Sequence, residues 1–232
     1  MSSLGTPRSD VITYVCDCGH EYRATVHHAV NITLEPQLLY ELLAGRLNVA
    51  VCPNCGRRVS SELPFIYHDM KRGLFAYVHP SGDLPEDERD ELLEQLRLVY
   101  TSAVRQSEHL SPPHPSGPAR HAASSRPRDA AEPRPGVTEP DAPPMQVIFG
   151  VDQLVALVDS LLEPEERLGH VALNTRNQDP AARERFLQVA RRMAQELNCL
   201  IEVAERGGAL TVEIYGPRSR IGQLVTILHT LT

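Results

Sequence analysis

Along residues 10–32 the chain alternates apolar and polar positions. In DVITYVC and EYRATVHHAVNIT, Tyr22, Ala24, Val26, Val30 and Ile32 fall mostly on one face, the period of a half-buried strand. The period then changes. EPQLLYELLAG sets Leu38, Leu39, Leu42 and Leu43 along one helical stripe, with Pro36 suited to the first helical position and Gly45 to the left-handed residue past the end. Strand character returns in RRVSSELPFIYHD and GLFAYVHP, joined by a turn near Lys71 to Gly73. A second helix follows in LPEDERDELLEQLRLVYTSAVRQ, with Asp83 as its cap, Pro85 just inside and acidic residues at the positive end of the dipole. Its apolar positions Leu92, Leu96, Val99 and Ala103 recur at three to four, which predicts one packed and one solvated face.

Composition then breaks the pattern. Residues 106–144 hold ten of the nineteen prolines and almost no large apolar side chains, so they cannot bury enough surface to offset their ordering entropy. They read as a disordered, Pro-rich tether. Beyond them the order is strand (QVIFG), helix (VDQLVALVDSLL), strand (HVALNT), helix (PAARERFLQVARRMAQEL), two strands (CLIEVAE, ALTVEIYG) and a helix (RSRIGQLVTILHTL). Gly207 and Gly208 supply a tight hairpin turn between the last two strands. The expected class is α+β. A zinc-ribbon-like β domain with two helices occupies residues 1–105, the linker residues 106–144, and a small α+β sandwich with helices on one face residues 145–232.

Charge narrows the function. Residues 1–105 carry 10 basic and 14 acidic groups and residues 145–232 carry 9 and 11, within a net charge of -7. Neither half has the positive excess that neutralising a phosphate backbone requires, which disfavours broad nucleic-acid binding. Lys71 is the only lysine beside 22 arginines, a skew that fits a GC-rich genome. There is no signal-like N-terminus and no apolar run long enough to span a bilayer, so a cytoplasmic protein without a membrane partner is expected. Clustered thiols there are more often metal ligands than disulfides.

Cys16 and Cys18 in YVCDCGHEY and Cys52 and Cys55 in AVCPNCGRR form two close pairs separated by 33 residues. Zinc takes four ligands at tetrahedral corners, about 2.3 Å from thiolate sulfur, and two short turns brought face to face supply them. Each pair is followed by a glycine, Gly19 or Gly56, which lets the backbone turn after the second ligand. Structural zinc is the leading reading; a redox dithiol and uncoordinated thiols are the alternatives. His20 is a candidate substitute ligand or partner of the cluster behind the ligands, with a solvated or core-edge imidazole as the plainer reading. Four thiolates leave no open position for water, so such a metal braces the fold and does not catalyse.

VCDCGHEY, NITLEP, LLAGRLNVAVCPNCG and LPFIYHDMKRGLFAYVHP in this order resemble the CpXC family, small bacterial and archaeal domains named for the C-P-x-C element present here as Cys52, Pro53, Asn54 and Cys55. The resemblance covers roughly residues 10–100. It implies a metal-binding-type domain, in a family without an established biochemical function.

The remaining motifs are weaker. His68 beside Asp69 invites a catalytic reading, but neighbours on a strand point to opposite faces. No phosphate-binding glycine loop, dinucleotide fingerprint or nucleophile elbow occurs. Cys199 reads as a small core hydrophobe. Arg218 and Arg220, at a helix start, are candidate anion contacts. The expected function is a non-enzymatic two-domain adaptor that docks protein partners. The alternatives are a nucleic-acid-binding zinc ribbon contacting its target through Arg57 and Arg58, and a thiol redox sensor or enzyme using Cys16 and Cys18.

Overall fold

The computed structural model describes residues 6–109, 144–206 and 208–230. Strands β1 (Arg8–Val15) and β2 (Glu21–Asn31) form an antiparallel hairpin, with Tyr14 opposite Tyr22. Helix α1 (Gln37–Leu43) follows, then the short antiparallel pair β3 (Val49–Val51) and β4 (Arg58–Ser60). The expected strand RRVSSELPFIYHD is therefore two strands, broken ahead of β5 (Phe65–Asp69) at a stretch that contains Pro64. A single 3-10 turn, capped by the Asp69 carboxylate and ended by Gly73 at φ 63°, leads into β6 (Leu74–His79).

Helix α1 ends as its sequence predicts. Gly45 sits at φ 63°, its N–H donates to the carbonyl of Leu42, and the N–H of Arg46 donates to that of Glu41, a Schellman motif. Leu38, Leu39 and Leu42 are all buried, against Val30, Phe65, Tyr67, Ala76 and Val78 of the sheet.

The chain beyond the Pro-rich segment returns to this same sheet. β7 (Gln146–Phe149) pairs parallel to β6, giving a five-stranded sheet in the order β1-β2-β5-β6-β7. Helix α3 (Val151–Leu161) then delivers Leu154 and Val158, both 0% exposed, into the core beneath α1. Burying each such side chain is worth about 1.5–3 kcal/mol. Residues 145–162, expected to open a separate C-terminal domain, thus complete the interior of the N-terminal one. One compact unit comprises Ser3–Leu84 together with Met145–Thr232.

Within that unit β8 (Leu168–Thr175), β10 (Ala209–Pro217) and β9 (Leu200–Arg206) form an antiparallel sheet in that order. Helices α4 (Pro180–Glu196) and α5 (Arg218–Thr230) bury Ala190, Ala194, Ile221 and Leu224 against Val212 and Ile214. Close approach needs missing side chains here. A Cβ on Gly169 would meet the α5 backbone at Arg218 at 3.0 Å, and one on Gly216 would meet Cys199 Sγ at 2.6 Å. Cys199 packs as the expected core thiol, with burial pushing its pKa up. The turn between β9 and β10 passes through Gly208 at φ 78°, while Gly207 lies outside the described residues.

The two sheets are cross-linked by side chains. Glu166 forms ion pairs with Lys71 and Arg72, and Arg72 also pairs with the buried Asp69 at 2.6 Å. Tyr40 donates to the Glu166 carbonyl at 3.1 Å. Arg46 pairs with Glu202 and lies 4.5 Å over the Tyr215 ring.

Helix α2 (Glu86–His109) belongs to a second unit. It starts beyond Pro85 with Glu86, Asp87 and Glu88 in its first turn, and it runs past residue 106, where the sequence places the start of the linker. Val99, expected on a packed face, is 65% exposed. Residues 110–143, the bulk of the expected tether, lie outside the described residues.

Candidate metal centre

Both cysteine pairs sit at hairpin tips. In the first, between β1 and β2, the N–H of Cys16 donates to the His20 carbonyl at 3.0 Å and the N–H of Gly19 to the Cys16 carbonyl at 2.8 Å. In the second, between β3 and β4, the N–H of Cys52 donates to the Arg57 carbonyl at 2.8 Å and the N–H of Gly56 to the Cys52 carbonyl at 2.8 Å. The closures are equivalent although C-x-C is one residue shorter than C-P-x-C. In each, the glycine after the second cysteine bonds back to the first, with Gly19 at φ 80° and Gly56 at φ 73°.

A second set of contacts brings the tips together. Asn48, at φ 58° just ahead of β3, clamps the edge of β2: its side chain accepts from the N–H of His27 at 2.7 Å and donates to the His27 carbonyl at 2.9 Å. Asparagine tolerates the left-handed conformation that aims it there. Cys16, Tyr22, Ala50 and Cys52 then bury one another, with the Tyr14 and Tyr22 rings stacked at 5.7 Å behind them. Across the tips, Arg57 forms an ion pair with Asp17.

The outcome is one cluster of four sulfur atoms, all within 4.8 Å of one another. Cys16 Sγ lies 3.5 Å from Cys55 Sγ, and Cys18 Sγ lies 3.7 Å from Cys52 Sγ. Four thiolates at tetrahedral corners about 2.3 Å from zinc would be about 3.8 Å apart, so the cluster has the size such a cation requires. Cys16 and Cys52 are buried, whereas Cys18 and Cys55 face solvent.

Hydrogen bonding divides the exposed pair. The Asn54 amide, 3.5 Å from Cys18 Sγ, and the backbone at His20 favour the Cys18 thiolate and lower its pKa to about 6. The backbone at Arg57 favours the Cys55 thiolate, but its bond with Cys16, burial, and its bonds with Cys52 and Cys18 outweigh this and raise it to about 12. Four adjacent thiolates repel unless a cation neutralises them; metal binding supplies that charge and releases the protons. Tyr22 packs beside the cluster. Burial, with the neighbouring thiols, pushes its phenol further up.

His20 is exposed and contributes its backbone carbonyl to the first tip. Arg58 donates to the Gly45 carbonyl at 2.8 Å, so it and Arg57 both hold partners within the chain. Arg218 is exposed at the start of α5. Arg220 reaches the carbonyls of Leu197 and Asn198 at 3.0 and 3.2 Å, where it completes the C-terminal end of α4. A cavity of about 330 Å³ lies beside it, lined also by Tyr40, Asp69, Lys71, Arg72 and Glu166. Asp69, Lys71, Arg72 and Glu166 are matched in the ion pairs that join the sheets, and Arg220 is held by the two carbonyls. His68 and Asp69 do not converge: His68 sits edge-on to Phe75, while Asp69 is held by Arg72.

Asp17, Asn48 and Asn54 gain their roles at the site only from the fold. Asn48 has a weak signal, since asparagine is among the residues that tolerate the left-handed conformation it adopts. Asp17 and Asn54 occupy the x positions of C-x-C and C-P-x-C, and the facing of the tips gives them partners across the site.

No curated protein and no solved structure matches the chain. Among the described residues, no helix is long and apolar enough to cross a membrane. The stretch that does match a known family contains all four clustered cysteines and the Asn48 clamp: residues 14–111 match the family model of the CpXC protein.

Proposed function

We propose that the protein is a non-enzymatic adaptor in which structural zinc braces a protein-docking module. The observation that carries this reading is the four-sulfur cluster, with cross-tip separations of 3.5 and 3.7 Å. A Cys₄ shell favours zinc over the hard cations, which prefer oxygen, and leaves no position for a reacting water. Cys16, Cys18, Cys52 and Cys55 would hold the ion. When bound it supplies fixed positive charge at the point where two hairpins meet over a small apolar patch. The arrangement has the character of a zinc ribbon.

A protein partner fits better than nucleic acid. Arg57 is tied to Asp17 and Arg58 to the Gly45 carbonyl, and the chain is acidic as a whole. A cytoplasmic location accords with thiols that must stay reduced to bind metal.

The test is metal analysis of the purified chain with and without Cys52→Ser, alongside affinity capture on the intact protein. One zinc per chain, lost in the variant together with partner capture, is the expected result. Turnover of a substrate that disappears in Cys52→Ser while the fold persists would refute the non-enzymatic reading. Tight DNA or RNA binding lost on replacing Arg57 and Arg58 by Ala would refute the protein-partner reading.

A further inference from the structure

The tetrad is asymmetric in a way that bracing alone does not require. Each tip presents one exposed sulfur, Cys18 or Cys55, and one buried sulfur, Cys16 or Cys52. All four sulfurs lie within 4.8 Å of one another, and within that cluster each exposed sulfur has a close contact with the buried sulfur of the other tip, 3.7 Å for Cys18 and Cys52 and 3.5 Å for Cys55 and Cys16. We infer that the cluster is also a hydroperoxide-responsive clasp, in which oxidation turns the four thiolates into two disulfides that bridge the tips, Cys18 to Cys52 and Cys16 to Cys55, and metal binding is lost. This rests on the metal-site reading above.

The chemistry balances with a hydroperoxide as oxidant. The Cys18 thiolate attacks the distal peroxide oxygen, the O–O bond breaks, and the departing alkoxide takes a proton from solvent and leaves as alcohol, or as water if the oxidant is hydrogen peroxide. The sulfur, oxidised by two electrons, is now a sulfenic acid. The Cys52 thiolate attacks it, the S–O bond breaks, and hydroxide leaves and is protonated to water. One hydroperoxide is reduced for each disulfide. Cys55 and Cys16 repeat the sequence with a second, and neutral disulfide sulfur no longer holds the cation.

At the first tip, geometry favours crossing over bonding within it. A Cys16 to Cys18 bond would close a small ring through Asp17 alone, and would distort the turn held by the Gly19 N–H to Cys16 carbonyl bond. Crosswise closure instead moves sulfur atoms that already face each other to about 2.05 Å. The Asn48 clamp and the Arg57 to Asp17 ion pair hold the tips in register as the bonds form. The brace therefore survives oxidation in covalent form.

The experiment uses the full chain. Zinc content and free thiols are measured first, hydrogen peroxide is titrated in, released zinc is read with a chromogenic chelator, and non-reduced peptides are mapped by mass spectrometry. The expected result is one zinc released as two peroxides are consumed, crosslinked peptides joining Cys18 to Cys52 and Cys16 to Cys55, and recovery of zinc binding after reduction. A Cys18→Ser chain should still form the Cys16 to Cys55 bond, and a Cys199→Ser chain should behave as wild type. Bonds within a tip, sulfinic acid at Cys18 or Cys55 without disulfide, or retention of zinc under peroxide would each overturn the inference. A chain purified without zinc would instead refute the metal reading, and peptide mapping of its oxidised thiols would still decide the pairing.

Discussion

The hairpin tips and the interior beneath α1 and α3 lie in one compact unit but are held by different means. Beneath the helices, some fifteen buried side chains from both sides of the Pro-rich segment pack together, among them Leu42, Tyr67, Val78, Leu154 and Val158. At the tips the buried set shrinks to Cys16, Tyr22, Ala50 and Cys52. At about 1.5–3 kcal/mol per large apolar side chain, the first region stabilises itself by burial and the second does not. On the proposed reading a structural metal, worth on the order of 10 kcal/mol at neutral pH in zinc-finger peptides, would supply at the tips what apolar area supplies below. Small structures commonly make that exchange.

The comparison is broken most directly by removing what the core borrows. A fragment of residues 1–105 lacks Ile148, Leu154, Val158 and Leu162, and at about 6–12 kcal/mol of lost burial it is expected not to fold. A cooperative thermal transition in that fragment would show the two regions to be independent of the C-terminal chain. Next in size is Cys52→Ser, which should abolish metal binding and deprotect the tips in hydrogen exchange while α3 amides stay protected. Loss of protection throughout would mean that the metal holds the core as well. Leu154→Ala tests the converse: a destabilisation of about 2–5 kcal/mol by chemical denaturation, with metal stoichiometry unchanged.

Smaller effects sharpen the picture. Asn48→Ala removes both bonds to His27 and places a Cβ-bearing residue without a polar side chain at φ 58°, so it should cost about 1–3 kcal/mol and weaken zinc affinity in a competition titration. The smallest change is expected for Glu166→Gln, about 1 kcal/mol. The hydrogen bond from Lys71, and then Arg72, holds the Glu166 carboxyl below its ordinary 4.5 despite opposing burial. The folded state thus binds this proton less readily than the unfolded one. The stabilisation is full above about pH 4.5 and is lost as the pH falls through the lower folded value. Melting curves of wild type and variant should converge in that acid range, and a gap that persists there would assign the effect to packing.

Local features were legible in the sequence. Cysteine spacing gave the tetrad, leucine periodicity gave α1, and Gly45 marked its end. The order of strands and helices after residue 145 was also readable. What escaped was pairing across long separations. Nothing in QVIFG distinguishes a strand that opens a new domain from one that extends an old sheet, because its register with β6 is set by surfaces some seventy residues apart in sequence. The roles of Arg57, Arg58 and Arg220 were hidden for a related reason, since a cation's partner is decided by which carbonyl or carboxylate the fold brings to it. Glu166, in an unremarkable acidic stretch, is one of the residues that tie the sheets together.

X-ray absorption at the zinc edge on the intact, reduced protein addresses the central claim most directly. Four sulfur scatterers at about 2.3 Å with no light-atom ligand are expected. A shell containing nitrogen or oxygen, or a protein that retains no zinc, would contradict it.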